Sequence, residues 1–244
     1  MISVKRGRRT VLIGCLAVTS AAALVARTPS RSASAAAPVP APAAALVADK
    51  GNFRIMVGGQ QKGKEEFEIR PDGANWVAQG TSEVQTSEGA ARVFGTLHLH
   101  ADGTPANYQW STEGKKKASA TIEFSSLTAN IDLHLEGAKP YTQTLTFNTS
   151  PIVVLDNNLY HQYAILARLY DREKKGLQTF SVLVPQELTP GTITVDSLGM
   201  QQVNGKKLEE LNAKTEDLEV HLYLDNGRLI RIIAPSNNAE VIRE

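Results

Sequence analysis

Cysteine is almost absent from the sequence, because its 244 residues include one, Cys15. A single thiol forms no disulfide within its own chain, and it supplies no cluster of cysteine ligands to a metal ion. Cys15 also lies in a leader that we expect to be removed. The mature protein is therefore expected to have no disulfide and no thiolate nucleophile.

Positive charge is scarce beyond the first 37 residues. Those residues contain six of the 26 Lys and Arg residues and none of the 25 Asp and Glu residues, so the remainder carries 20 basic and 25 acidic side chains, a formal charge of −5. Affinity for nucleic acid comes mainly from neutralising phosphates, so we expect no nucleic-acid partner. With 42% hydrophobic and 21% charged residues, the chain is not wholly disordered.

Catalytic sequence motifs are also missing. The sequence has no Gly-x-Ser-x-Gly elbow, His-Glu-x-x-His helix, phosphate-binding glycine loop or dinucleotide fingerprint. Nucleophilic catalysis needs a hydroxyl or thiol beside a base that an acid orients, and no motif assembles these groups. We expect a non-enzymatic protein without a cofactor, and an enzyme of unknown reaction is the third alternative below.

The first 37 residues are typical of an export signal. A basic start, an uncharged run over residues 11–26 and small residues up to Ala37 follow one another. The uncharged run is shorter than the roughly 18 to 20 residues that cross a bilayer. Arg8 and Arg9 resemble a twin-arginine export signal, with general secretion as the alternative. We expect cleavage near residues 35–37 and a periplasmic or secreted protein, and contact with a membrane only if the leader stays uncleaved.

The rest of the chain divides into a linker and one domain. Residues 38–50 form a linker rich in Pro and Ala, which favours an extended spacer. The domain is assigned to residues 51–244, and its fold is expected to begin near Asn52. No internal repeat is visible.

Alternation of apolar and polar residues dominates this domain and predicts strands. Phe53, Ile55 and Val57 share one face, and the next run places Phe67 and Ile69 together with Glu65. Turn-forming pairs such as Asn-Gly and Asp-Gly separate the runs. The predicted strands are 52–59, 63–70, 74–87, 90–101, 104–113, 117–125, 128–137, 141–148, 177–185, 191–198, 200–203, 207–211, 217–224, 228–234 and 239–243. Residues 207–214 are also compatible with a short helix.

Helical spacing replaces the alternation between residues 157 and 174. Asp156 is expected to cap this helix, and Lys174, Lys175 and Gly176 to end it. Its apolar stripe consists of Leu159, Tyr163, Leu166 and Tyr170.

About fifteen short strands and one helix exclude a parallel α/β sheet, because the crossover helices are missing. We therefore predict a mainly β fold, with one large curved antiparallel sheet or open half-barrel. The helix at 157–174 should lie across the concave face.

Some segments of the second half resemble a known group of proteins. They include residues 155–158, 161–171, 184–186, 217–229 and 234–244. The chain resembles exported bacterial proteins classed as domains of unknown function, most strongly over residues 150–244. The resemblance implies an antiparallel half-barrel similar in plan to periplasmic lipoprotein-carrier proteins, and it carries no catalytic residues.

Five histidines are the candidates for metal binding or base chemistry. His98 and His100 lie on one strand face, and His134 or His221 could complete a metal site. All four lie on the polar side of alternating strands, so we expect solvated side chains and no metal. His161 lies beside the apolar stripe of the helix and is expected to be a packed or capping group. The paired carboxylates Glu65-Glu66 and Glu209-Glu210 are expected to be solvated.

Aromatic side chains on the concave face are the candidate ligand site. The predicted ligand-binding residues are Trp76, Tyr108, Trp110, Phe124 and Tyr163. If the helix leaves a gap, they would line an apolar pocket for a lipid-like ligand. If it fills the groove, they are core, and the protein is instead a structural or interaction module that binds an envelope protein through an exposed edge near residues 142–147.

Overall fold

The structure is a computed structural model, and it describes residues 46–86, 89–115 and 117–244. The predicted export signal, most of the linker and Lys116 lie outside the described residues. No helix in the part described is long and apolar enough to span a membrane.

Fifteen strands form one sheet, and they are numbered here in chain order. The first eight strands are β1 (Asp49–Val57), β2 (Gln60–Asp72), β3 (Asn75–Thr86), β4 (Gly89–Leu99), β5 (Pro105–Glu113), β6 (Ala118–Ser125), β7 (Thr128–Leu135) and β8 (Tyr141–Thr146). The others are β9 (Ile152–Val154), β10 (Gln178–Val184), β11 (Thr189–Val203), β12 (Lys206–Lys214), β13 (Glu219–Asp225), β14 (Arg228–Ala234) and β15 (Ala239–Arg243). One α-helix, α1 (Gln162–Leu169), lies between β9 and β10, and a 3-10 turn spans Pro235–Asn237.

The strand order is β8-β7-β6-β5-β4-β3-β2-β1-β15-β14-β13-β12-β11-β10-β9. Consecutive strands are therefore neighbours, except that β8 and β9 lie at opposite edges and the first strand pairs with the last in the middle of the sheet. Across this junction the Arg243 guanidinium donates two hydrogen bonds to the Asp49 carboxylate, from Nη1 to Oδ2 at 2.9 Å and from Nη2 to Oδ1 at 2.7 Å.

The chain connectivity explains why the sheet is curved. β8 and β9 are the two edges of the sheet, yet only residues 147–151 connect them. Fourteen strand spacings would hold the edges of a flat sheet about 67 Å apart, whereas that connection spans at most about 22 Å. The sheet therefore curls until its edges approach each other, but β8 and β9 do not pair and the sheet stays open.

The predicted fold class is confirmed: the sheet is large, open, curved and almost wholly antiparallel, with a single helix. Two predictions about the strands need correction. Strand β9 was not predicted, and it pairs parallel with β10. The predicted strands 191–198 and 200–203 are one strand, β11, in which a bulge between Ser197 and Gly199 absorbs the irregularity. The alternative helix at 207–214 is strand β12.

The predicted helix at 157–174 is wrong in its length, because α1 contains eight residues. Asp156 does not cap it, because its side chain binds groups from two other segments. The chain leaves the helix at Tyr170, which is extended. Leu159 and Tyr170 lie outside α1 but are at most 1% exposed, so the stripe is buried although only part of it is helical.

The core fills the concave side of the sheet, where the segment 152–172 crosses it. All three residues of β9 are buried, which is typical of a strand covered on both faces. The largest fully buried side chains are Tyr108, Tyr170, Phe53, Phe67, Leu97, Leu99, Ile122, Leu159, Leu166, Leu183, Ile193 and Leu211.

Candidate functional site

The five predicted ligand-binding residues all join the core of the concave side. Tyr108 is fully buried and Trp110 is 7% exposed. Trp76, Phe124 and Tyr163 are partly buried and pack against the same core. Tyr163 lies in α1, and burial raises the pKa of its hydroxyl above the ordinary value of 10.0. The structure therefore brings these residues into one apolar cluster.

Two open surface cavities of the described residues lie on the other, outer side of the sheet. One, of about 610 Å³, lies over β6, β7 and β8, and the second, of about 340 Å³, lies over β1 to β4. Polar side chains contribute most of both linings.

A buried carboxylate and imidazole fasten that segment to the sheet. Nδ1 of His161 lies 2.5 Å from Oε1 of Glu65, and both side chains are at most 1% exposed. The Glu65 carboxylate also accepts the backbone N–H groups of Tyr160, at 2.8 Å, and of His161, at 3.3 Å. The imidazole stacks on Phe67, with ring centroids 5.7 Å apart. His161 is thus packed, as expected, whereas the expectation that Glu65 is solvated is wrong.

A second buried carboxylate holds the start of the same segment. The Asp156 side chain accepts hydrogen bonds from the Tyr108 hydroxyl at 2.9 Å, the Gln186 amide at 2.8 Å and the Asn158 N–H at 2.9 Å. Burial raises the pKa of Asp156 above the ordinary value of 3.8, and these donors oppose the shift. Burial, and then the charge of Asp156, raise the pKa of Tyr108 well above 10.0.

Two facing glycines make room for these contacts. Gly80 on β3 pairs with Gly95 on β4. A Cβ atom on Gly80 would meet the imidazole of His161, and one on Gly95 would meet a methyl group of Leu159. The missing side chains are therefore what allows the segment to lie directly on the sheet.

The imidazole of His161 is fully buried within this cluster. Its Nε2 atom and the Nε1 atom of Trp110 have no hydrogen-bond partner among the described residues. The geometry favours a role in positioning the segment, and it leaves the indole N–H of Trp110 without a partner among the described residues.

The other histidines lie on the outer face. His100 is exposed, and the side chains of His98 and His134 are 44% and 55% exposed. His221 is less exposed and lies 2.6 Å from Glu210, so the expectation that Glu210 is solvated is also wrong. Among residues 46–86, 89–115 and 117–244, no group of three or more His, Asp, Glu or Cys residues is placed to hold a metal ion.

Strand β8 is a mostly exposed edge with unused backbone groups, and β11 is the strand that approaches it across the opening of the sheet. The Phe147 N–H donates to the Leu127 carbonyl, and the Glu136 N–H to the Lys117 carbonyl. Hydrogen-bonded pairs alternate along an antiparallel ladder, so odd-numbered residues of β8 bond to β7. The N–H and C=O groups of Thr142, Thr144 and Thr146 therefore face away from β7.

The two edges of the sheet differ in their protection. Strand β9 has three residues, all buried, whereas β8 has six residues, of which Leu145 alone is buried. No charged residue occurs between Tyr141 and Pro151. Natural sheets usually guard an edge with short strands, charges or proline, and β8 has none of these along its length.

The cavity of about 610 Å³ lies beside this edge on the outer face. Its lining residues are Thr121, Glu123, Asn130, Ile131, Asp132, Thr142, Gln143 and Thr144. The only charged side chains in this lining are the two carboxylates. Glu123 accepts a hydrogen bond from the Asn107 amide, and Asp132 lies 3.2 Å from Nε2 of His134. We call this cavity the acidic groove.

The sequence carried a signal for one residue that its interpretation missed. Glu65 shares a strand face with Phe67 and Ile69, and a carboxylate in an apolar row indicates a buried partner. The partner, His161, is 96 residues away, so the sequence could not identify it.

Comparisons with known proteins identify no relative of known function. No family model matches the chain, and no curated protein matches it. One solved structure, a DUF1089 family protein from Pseudomonas aeruginosa, is similar with a TM-score of 0.46 and 10% identity over 71% of this chain and 90% of that one. A likeness this distant carries no inference about what the chain does.

Proposed function

We propose that the protein is a non-enzymatic exported envelope protein that binds an extended segment of another protein along strand β8. The exposed, uncharged edge of β8 carries this proposal, because the backbone groups of Thr142, Thr144 and Thr146 face away from the sheet. In strand addition, backbone hydrogen bonds supply affinity, and neighbouring side chains supply specificity.

Selection from a displayed library of random twelve-residue peptides tests this function with the full chain as the target. We expect enriched peptides to bind the unmodified protein and Thr144→Ser, which keeps the backbone N–H. Thr144→Pro lacks that N–H and should abolish binding. Enriched peptides that bind Thr144→Pro equally well, or no enrichment at all, would contradict strand addition.

Export is supported by the order of basic, uncharged and small residues in the first 37 positions. The protein recovered outside the cytoplasm should begin near residues 36–38 in N-terminal sequencing. A double Arg8→Lys, Arg9→Lys change should block export by the twin-arginine route, and undiminished export would leave general secretion as the route.

Binding of an apolar or lipid-like ligand on the concave side is a second candidate. The indole N–H of Trp110 and the Nε2 atom of His161 favour it, because both lie buried without a hydrogen-bond partner among the described residues. The resemblance of the sequence to half-barrels similar in plan to periplasmic lipoprotein-carrier proteins supports the same candidate. The ligand would need an apolar body and a polar group that accepts hydrogen bonds.

A hydrophobic probe dye tests this second candidate. Saturable binding to the native protein, weakened by Trp110→Phe, would support it, since that change removes the indole N–H and keeps an aromatic ring. If the native protein binds no dye saturably, the concave side is core and not a ligand site.

A further inference from the structure

We propose that the segment added to β8 is basic, with Lys or Arg at alternate positions that face the acidic groove. This inference rests on the proposed function, because the groove is reached from the strand position beside β8. It names the chemistry of the partner: an extended peptide segment with cationic side chains on one face and small or apolar side chains on the other.

The spacing of strands places the carboxylate of Asp132 within reach of such a segment. An added strand would lie about 4.8 Å from β8 and about 10 Å from β7. Asp132 belongs to β7 and is paired with Thr142 of β8. The short threonine side chain leaves the path open, and Lys and Arg carry their charge at the end of a long flexible stem. Every second side chain of the segment would therefore lie on the outer face, and a long Lys or Arg side chain can bend over Thr142 toward Asp132.

Charge complementarity favours a basic segment over a neutral or acidic one. Neither Lys nor Arg lines the groove, so Glu123 and Asp132 have no cation of that kind within it. The groove of about 610 Å³ is open to solvent on the outer face, so long side chains can enter it from the edge of the sheet. Opposite charges also speed the encounter of the two partners, most strongly at low salt.

The same charges argue against a second copy of this chain on the edge. The outward residues of β8 on this face are Thr142, Thr144 and Thr146, which carry no charge. Two copies paired along β8 would leave both pairs of carboxylates without a Lys or Arg partner in the groove and would bring the two acidic grooves close together. A basic segment of another protein would pair with the free backbone groups of β8 and would also bring positive charges to Glu123 and Asp132.

Three fluorescent nine-residue peptides provide the test, with valine at the even positions and lysine, threonine or glutamate at the odd positions. Fluorescence anisotropy measures their binding to the full chain. We expect the lysine peptide to bind at least ten-fold more tightly than the glutamate peptide, and its affinity to fall with added salt.

Two variants with matched controls separate the contributions of the groove and the edge. The double change Glu123→Gln, Asp132→Asn should lower the affinity for the lysine peptide five-fold or more. Glu66→Gln with Glu68→Gln, on the same outer face but on β2, should change binding less than two-fold. Thr144→Pro should abolish binding, and Thr144→Ser should preserve it.

The outcomes distinguish this inference from the proposed function. If all three peptides bind equally and Thr144→Pro abolishes their binding, strand addition stands and the basic partner is wrong. If the lysine peptide binds but ignores Thr144→Pro, both proposals fail. A dimer of the protein alone in sedimentation, lost in Thr144→Pro, would assign the edge to a second copy and would also overturn the inference.

Discussion

A Cβ atom on Gly80 would lie 2.6 Å from Cε1 of His161 and 3.1 Å from Oε1 of Glu65. The imidazole of His161 and the carboxylate of Glu65 therefore pack directly against the backbone of Gly80. Its backbone conformation is ordinary for a strand, so space, and not backbone freedom, explains the glycine.

We expect Gly80→Ala to lower the free energy of unfolding by about 1 to 3 kcal/mol, the usual cost of overpacking. Alanine restricts the unfolded chain more than glycine and would otherwise stabilise by about 0.4 to 1 kcal/mol. Urea unfolding measures the difference. Gln79→Ala, exposed on the neighbouring position, should stay within about 0.5 kcal/mol, and equal stability of the two variants would contradict this packing.

Glu65 and His161 should be strongly coupled in a double-mutant cycle. Glu65→Gln and His161→Phe each leave a buried polar group with fewer partners, so together they should destabilise less than the sum of their separate effects, by about 0.5 to 3 kcal/mol. The exposed pair Lys64 and Glu83, at 3.0 Å, is the control and should show no measurable coupling. Additive effects at Glu65 and His161 would show that the pair does not fasten the segment.

The buried apolar residues of α1 should contribute strongly to the free energy of unfolding, because they pack the segment 152–172 against the sheet. Leu166 is fully buried, so Leu166→Ala should cost about 2 to 5 kcal/mol in urea unfolding. Arg168→Ala, two residues later and partly exposed, should cost much less. Similar small effects of both changes would mean that α1 is not a core element.

Asp156 should make stability depend on pH in a defined direction. Its pKa is raised by burial, so the folded protein holds the proton more tightly than the unfolded chain does. The stabilisation from this proton is fully present below the unfolded pKa of about 3.9 and is lost as pH rises through the raised folded pKa. The unfolding free energy of the natural protein minus that of Asp156→Asn should therefore fall as pH rises from about 4. A difference that rises with pH would contradict the shift.

Proline substitutions should reveal which residues of β8 bond to β7. The Thr144 N–H faces outward, so Thr144→Pro should leave the fold intact with little loss of stability. Gln143 pairs with Ile131 in a hydrogen-bonded position, and Gln143→Pro should cost about 1 to 3 kcal/mol because a carbonyl loses its donor. If Thr144→Pro is instead the more destabilising change in urea unfolding, the backbone groups of the odd-numbered residues of β8 are the free ones.

Much of the sheet could be predicted from local pattern. In runs such as Ala118 to Ser125, apolar and polar residues alternate, and the period of two fixes which residues share a face. Glycine and asparagine at positions such as Asn226 and Gly227 supply the positive φ that a tight turn requires. These are properties of neighbouring residues, so the sequence alone suffices to predict most strands and the mainly β class.

Local pattern was misleading where distant groups compete for the same residues. Asp156 fits a helix cap by sequence, but the hydroxyl of Tyr108 and the amide of Gln186 bind its side chain, and the helix begins six residues later. Strand β9 is too short to show a period, and its parallel pairing with β10 exists because the chain returns across the concave side.

The sequence by itself determined the strand faces, the turns and the apolar stripe, since each depends on side chains within a few positions of one another. Only the tertiary structure decided that Glu65 meets His161, that β8 is left as an unprotected edge, and that the carboxylates of Glu123 and Asp132 lie together in a groove beside it. These relationships depend on how the sheet curls and on which strands become neighbours, and the energy of burying a charge or leaving a backbone group unpaired is set by that environment.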